Sequence, residues 1–213
     1  MKVLTDNGIT ANRYLDIGCG DGEFTLLISK AIKAHEVYGA DIDSASLNNL
    51  PQKIKALNFD LEKLPDSKLP FDHGYFDVIT ATELIEHLSY GDELVQETCR
   101  LLGSGGYLLI TTPNLASLLN RFLLFVGYQP MYTAPSKCYQ IGSRTVAKKS
   151  SISEHGHKNL YTLKALKDML GLYNFEIIST IGCQSIYDTL SFLPVANVPS
   201  IAPNIIVLCR KNG

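Results

Sequence analysis

The chain lacks several features that would settle its class at once. Its five cysteines, at 19, 99, 138, 183 and 209, are odd in number, widely separated and never spaced as C-x-x-C. That pattern excludes a disulfide framework and a thiolate zinc site, and it fits the reducing cytoplasm. No basic-then-apolar leader precedes the first strand pattern. The longest apolar runs, such as Phe122 to Val126, fall far short of the roughly 20 residues that span a bilayer. An excess of one charge is missing too: a net charge of −2 and a pI near 6.2 give no global attraction for nucleic acid or anionic membranes. Repeats, low-complexity tracts and an internal domain boundary are also absent. What remains is 213 residues, 46% of them hydrophobic, enough for one α/β domain with helices on both faces of a sheet.

The most informative stretch present is Leu15-Asp16-Ile17-Gly18-Cys19-Gly20-Asp21-Gly22-Glu23. It reads as a strand, then glycines on alternate positions, then a helix. Such a loop turns sharply and admits a ligand against the main chain. The spacing is G-x-G-x-G, whereas the dinucleotide fingerprint, which brings a helix N-terminus onto a pyrophosphate, is G-x-G-x-x-G. Asp16 and Asp21 would repel a phosphate and welcome an ammonium. The ligand that fits is a cationic nucleoside with an amino-acid tail.

Four further segments follow in order. Glu36 to Asp41 is an apolar strand ending in a carboxylate 19 positions after Gly22, suited to the paired hydroxyls of a ribose. Asp43, two residues on, reads as the cap of a helix starting at Ser44. A third strand, from Ile54, ends at Asp60. Leu69-Pro70-Phe71 with Tyr75 to Glu83, and then Leu101 to Asn114 with its Gly105-Gly106 pair, complete the series. Together, residues 13–114 resemble the class I S-adenosylmethionine-dependent methyltransferases.

That resemblance implies an α/β, three-layer Rossmann-like sheet in the order 3-2-1-4-5-7-6, with strand 7, residues 204–210, antiparallel. It implies one methyltransferase domain over 1–213 with a lid-like insertion at about 115–160, and S-adenosylmethionine as cofactor. It places Asp16, Gly18, Gly20, Asp41, Thr82 and Glu83 around that cofactor. Asp60 falls near the adenine amino group, with the Leu61 amide on the ring and Ile42 packed on its face. Ser104 stands where members of the family often carry proline, which loosens a turn and touches no chemistry.

Helical spacing predicts a helix from Gly22 to about Lys33 with Phe24, Leu27, Ile28 and Ala31 on one face. Another, Asp92 to Leu102, buries Leu94, Val95, Thr98, Leu101 and Leu102. Residues 115–126 carry Leu115, Leu118, Leu119, Phe122, Phe125 and Val126 at helical spacing, ended by Gly127. Residues 128–158 show no sustained period, and loops of that length in compact domains are usually functional lids or disordered. The last helix, Thr162 to Leu170, is capped by Thr162, and strands follow at 174–181 and 204–210.

Two clusters are candidates for the acceptor side. Glu83, Glu86 and His87 share a face if their segment is helical. One reading is structural, with acids at a helix start and His87 a hydrogen-bonded partner of the fold. The other is a divalent-metal site of Glu83, Glu86, His87 and His155 or His157. A similar E-x-x-E-H run supplies metal ligands in small-RNA 2′-O-methyltransferases, though the signature that follows their last histidine is missing here. Such runs also occur in methyltransferases resembling the ubiquinone-biosynthesis type. The second cluster, Glu154 to Tyr161, resembles a segment preceding the last helix of many small-molecule methyltransferases, and offers His157 or His155 as proton acceptor. The reading favoured by the sequence is a metal-free cytoplasmic methyltransferase acting on a small molecule by in-line displacement. An RNA 2′-O-methyltransferase and a noncatalytic cofactor-binding subunit are the alternatives. Neither the acceptor atom nor the oligomeric state is readable.

Overall fold

The computed structural model describes residues 1–133, 135–136, 139, 141–142, 156–184 and 198–213. The elements run α1 (Lys2–Asp6), β1 (Arg13–Ile17), α2 (Glu23–Ala31), β2 (Glu36–Asp41), α3 (Ser44–Leu47), β3 (Ile54–Asn58), β4 (Phe76–Thr82), α4 (Gly91–Leu101), β5 (Leu102–Pro113), α5 (Leu118–Phe125), α6 (Leu163–Leu172), β6 (Phe175–Cys183) and β7 (Asn204–Lys211). Short 3-10 turns at Leu61–Lys63 and Ile85–His87 follow β3 and β4.

The seven strands form one sheet in the order β3-β2-β1-β4-β5-β7-β6. β1 to β5 pair in parallel, and β7 runs antiparallel to both neighbours. This is the arrangement the sequence resemblance implies. Side chains alternate across β1. Tyr14 joins Leu4, Ile28, Ile32 and Val37 on the face covered by α1 and α2. Leu15 and Ile17 join Ile79, Leu94, Leu101, Leu166 and Leu170 under α4 and α6. Asp43 caps α3 by accepting from the amides of Ala45 and Ser46, and the Thr162 hydroxyl caps α6 by accepting from Ala165.

Two helices differ from their sequence patterns. In α2 the buried residues are Thr25, Ile28 and Ser29, while Phe24 and Leu27 are 41% and 48% exposed. The turn of the helix is set by Thr25, whose hydroxyl donates to Asp16 beneath the glycine loop at 2.6 Å. In α5 the regularly spaced Leu118, Phe122, Phe125 and Val126 face outward. Its inner face is Asn120 and Leu123, and Asn120 ties the helix to the Asn114 carbonyl and the Met131 amide. Within the expected lid-like insertion, residues 134, 137–138, 140 and 143–155 lie outside the described residues.

A polar chain runs through the core under the loop. Thr80 donates to Asp16 Oδ1 at 2.5 Å, which uses its proton, so the Tyr14 hydroxyl donates to Thr80 at 2.7 Å. Asp16 is 1% exposed, and burial pushes its carboxyl from its ordinary 3.8 up to about 6 against the opposing pull of the two threonines. Between those two values the native chain holds a proton that the unfolded chain has released, so stability falls as pH rises and levels off above about 6. The gap of about 2 units corresponds to roughly 3 kcal/mol. We therefore expect the difference in unfolding free energy between wild type and Asp16→Asn to shift by about that amount in favour of the variant from pH 4 to pH 7. Urea titrations across that range that run parallel for the two proteins would contradict it.

Gly22 begins α2 with φ +78°, and a Cβ there would lie 2.6 Å from Leu50 Cδ2 and 2.7 Å from Ile54 Cδ1. Gly22→Ala combines a left-handed backbone with overpacking and should lower the unfolding free energy by about 1–3 kcal/mol. Equal denaturation midpoints for the two proteins would show that the loop tolerates the side chain.

Candidate functional site

The C-terminal ends of parallel strands converge where β1 and β4 part, the place at which open α/β sheets bind ligands. There the chain leaves β1 through Gly18, Gly20 and Gly22, with φ of +76°, +51° and +78°. The loop is laced to β2: the amides of Gly18 and Cys19 donate to the Ala40 carbonyl, and the Gly20 amide donates to Asp41 Oδ2 at 2.8 Å. The other oxygen of Asp41 accepts from the Asp43 amide at 2.9 Å. A Cβ on Gly20 would meet nothing within 4 Å, so space lies open above it.

Beside the loop lies a crevice of about 150 Å³. Gly18, Asp41, Ile42, Asp60 and Leu61 line it, with Leu84, His87 and Lys158 at the other end. Ile42 is 55% exposed, an apolar side chain left uncovered at the rim. Asp60 caps the turn after β3 through the Glu62 amide and still borders the crevice.

The remaining predicted residues are placed differently. Asp16 lies below the loop with both oxygens committed to threonines, so its contribution is to hold the loop and not to line the crevice. Thr82 is half-buried at the end of β4, paired with Thr111. Glu83 does not line the crevice: its φ is +49°, its amide bonds to Thr111, and its carboxylate accepts from the Thr111 hydroxyl at 2.7 Å. The helical turn after β4 spans only Ile85–His87, so Glu83 does not share a face with Glu86 and His87.

Glu86, His87 and His157 do come together. The backbone amides of Lys158 and Asn159 both donate to the Glu86 carbonyl, and the Asn159 side chain donates to the carbonyls of Leu88 and Ser89. Lys158 adds an ion pair to Glu62 at 2.9 Å. These bonds strap residues 157–159 over the turn after β4 and set the His157 ring 4.8 Å from that of His87, edge to face. Burial and the nearby His87 push the His157 imidazole below its ordinary value. His155 lies outside the described residues. Sequence reasoning did not single out Lys158 as a crevice residue, because its proximity to His87 arises from a strap between distant segments, for which no local spacing gives a signal. The Tyr132 ring lies tilted against His157 at 5.7 Å.

The comparisons with known proteins agree with this geometry. A family profile described as a methyltransferase domain matches residues 2–180. A ubiquinone biosynthesis O-methyltransferase of Acinetobacter baylyi is 25% identical over 170 residues, covering 78% of this chain and 68% of that protein. A ubiquinone/menaquinone biosynthesis C-methyltransferase of Stutzerimonas stutzeri is 33% identical over 104 residues, covering 46% and 41%. The similarity thus spans only part of the length of these relatives. Among solved structures, a putative methyltransferase from Bacillus halodurans superposes with a TM-score of 0.67 at 15% identity, covering 100% of this chain and 98% of that one. An S-adenosylmethionine-dependent methyltransferase from Mesorhizobium loti gives a TM-score of 0.64 at 18% identity, covering 95% and 92%. With the profile spanning most of its length and the sheet order matching, the chain belongs to the class I S-adenosylmethionine-dependent methyltransferases.

Proposed function

We propose that this chain transfers the methyl group of S-adenosylmethionine to a small-molecule acceptor that enters at the His87 and Lys158 end of the crevice. The observation that carries the reading is the pair of carboxylates, Asp41 and Asp60, at the ends of adjacent strands beside an open glycine loop. Asp41 has lone pairs left after its two amide bonds and is placed for the ribose hydroxyls. Asp60 faces the position of an adenine amino group, the Leu61 amide the ring edge, and Ile42 the ring face. Gly18 and Gly20 leave room for the amino-acid tail. The small-molecule acceptor is supported by the relatives named for ubiquinone and menaquinone biosynthesis.

The cofactor supplies a sulfonium methyl that is already electrophilic. The protein therefore has to align the nucleophile, exclude water and manage one proton. Alignment contributes on the order of 7–11 kcal/mol, more than a general base at about 10²- to 10⁴-fold in rate. Division of labour follows: the ends of β1, β2 and β3 bind the nucleoside, while the turn after β4 and the strap at 157–159 serve the acceptor.

Asp41→Ala should weaken S-adenosylmethionine binding by roughly 10- to 150-fold, the value of charge-assisted hydrogen bonds of about 1.5–3 kcal/mol. Calorimetry giving wild-type affinity would remove Asp41 from the site. On the other side of the crevice, His157→Ala should lower kcat by about 10²-fold while cofactor affinity changes by no more than about twofold. A variant that loses cofactor binding in step with turnover would place His157 on the nucleoside side instead.

A further inference from the structure

Glu86, His87 and His157 each offer one ligand atom, and these atoms lie within 4.8 Å of one another. Donors sharing a tetrahedral ion at about 2.1 Å sit roughly 3.4 Å apart, so modest side-chain rotation closes the set. Glu86 is 0% exposed; Oε2 accepts from the Thr112 hydroxyl at 2.9 Å, and Oε1 has no hydrogen-bond partner among the described residues. A carboxylate oxygen buried without a partner is costly, and a bound cation removes that cost. His157 also hydrogen-bonds to the Tyr132 backbone, which orients the ring and leaves its second nitrogen for the cluster. Metal-binding imidazoles use their other nitrogen in this way.

We propose that Glu86, His87 and His157 bind a divalent cation at the acceptor end of the crevice, and that this cation receives a hydroxyl oxygen of the acceptor. Two imidazoles and one carboxylate suit borderline ions such as Zn²⁺ or Co²⁺ better than Mg²⁺ or Ca²⁺. Three protein ligands leave a position open. His87 both belongs to the cluster and lines the crevice, which directs that position toward the methyl-transfer end. The sequence alone favours a metal-free site, and its alternative set includes Glu83; the cluster in the fold omits Glu83 because the backbone turns at that residue.

The substrate class narrows accordingly to a hydroxyl acceptor, a step that rests on the methyltransferase reading above. A cation next to a hydroxyl lowers its pKa, so the proton leaves to solvent before transfer. The oxygen then forms its bond to the methyl carbon as the carbon–sulfur bond breaks. That electron pair stays on sulfur, the sulfonium becomes a thioether, and nothing is oxidised or reduced.

The test uses the full chain stripped of metal by dialysis against chelator. It is titrated with Co²⁺ alone, followed by visible absorption and calorimetry. One Co²⁺ per chain is expected, with Glu86→Gln and His157→Ala each weakening binding by at least about tenfold. Thermal melting with and without Co²⁺ reports folding independently: only wild type should be stabilised by the ion. S-adenosylmethionine affinity, measured on the same samples, should be unchanged in His157→Ala. Absence of saturable Co²⁺ binding to wild type, or wild-type affinity in both variants, overturns the metal site while leaving the cofactor reading intact. Loss of S-adenosylmethionine binding by wild type would instead overturn the reading on which the hydroxyl acceptor rests.

Discussion

A single backbone constraint organises the molecule: within five residues after β1 the chain passes through left-handed φ values at Gly18, Gly20 and Gly22. That path keeps the main chain low over the strand ends, so a ligand can approach it without meeting a side chain. It also sets the direction of α2, and with it the placement of Thr25 over Asp16. The Gly20 amide reaches across to Asp41, so a carboxylate that lines the crevice also holds the loop. The buried chain of Tyr14, Thr80, Asp16 and Thr25 supports the same loop from beneath, joining β1, β4 and α2. Its cost is an acid kept out of water, which the two threonine hydroxyls offset in part.

The His87 and Lys158 end of the crevice is built by a different device. Instead of a tight turn it uses a strap, residues 157–161, that bonds to the Glu86 carbonyl at one end and bridges from Tyr161 to Asn114 and Leu115 at the other. Gly91 sits against the Tyr161 hydroxyl, where a Cβ would come within 2.4 Å, so the strap and the start of α4 are packed without slack. The geometry at this end depends on contacts between residues some seventy positions apart in sequence, such as Asn159 with Leu88 and Ser89. The two halves of the site meet along the crevice between Asp41 and His87.

Much of the fold was readable because it rests on local rules. The strand that ends at Asp41, the Asp43 cap on Ser44 and the Thr162 cap on α6 follow from residue types at fixed offsets. The antiparallel β7 followed from family resemblance, since period alone says only that a strand exists. Where apolar spacing misled, a polar side chain had set the helix rotation. In α2 that residue is Thr25, bonded to Asp16, and in α5 it is Asn120, bonded to Asn114 and Met131. Asp41, Asp60 and Ile42, expected from the sequence at the cofactor, border the crevice because the ends of β2 and β3 meet there. The run from 83 to 87 looks helical in sequence, yet Glu83 does not share a face with Glu86 and His87, because the chain breaks direction at Glu83 before a single short turn. The closeness of His157 to His87 depends on the strap, and no spacing encodes it.

The central claim is that the acids at the strand ends and the glycine loop hold the nucleoside, leaving the His87 end for the acceptor. A crystal structure of the chain with bound S-adenosylhomocysteine tests it directly. The account predicts ribose hydroxyls on Asp41, the adenine between Ile42 and Leu61 with Asp60 at its amino group, and the thioether sulfur toward His87. A ligand bound elsewhere, or lying in the crevice with its adenine against His87, would contradict it.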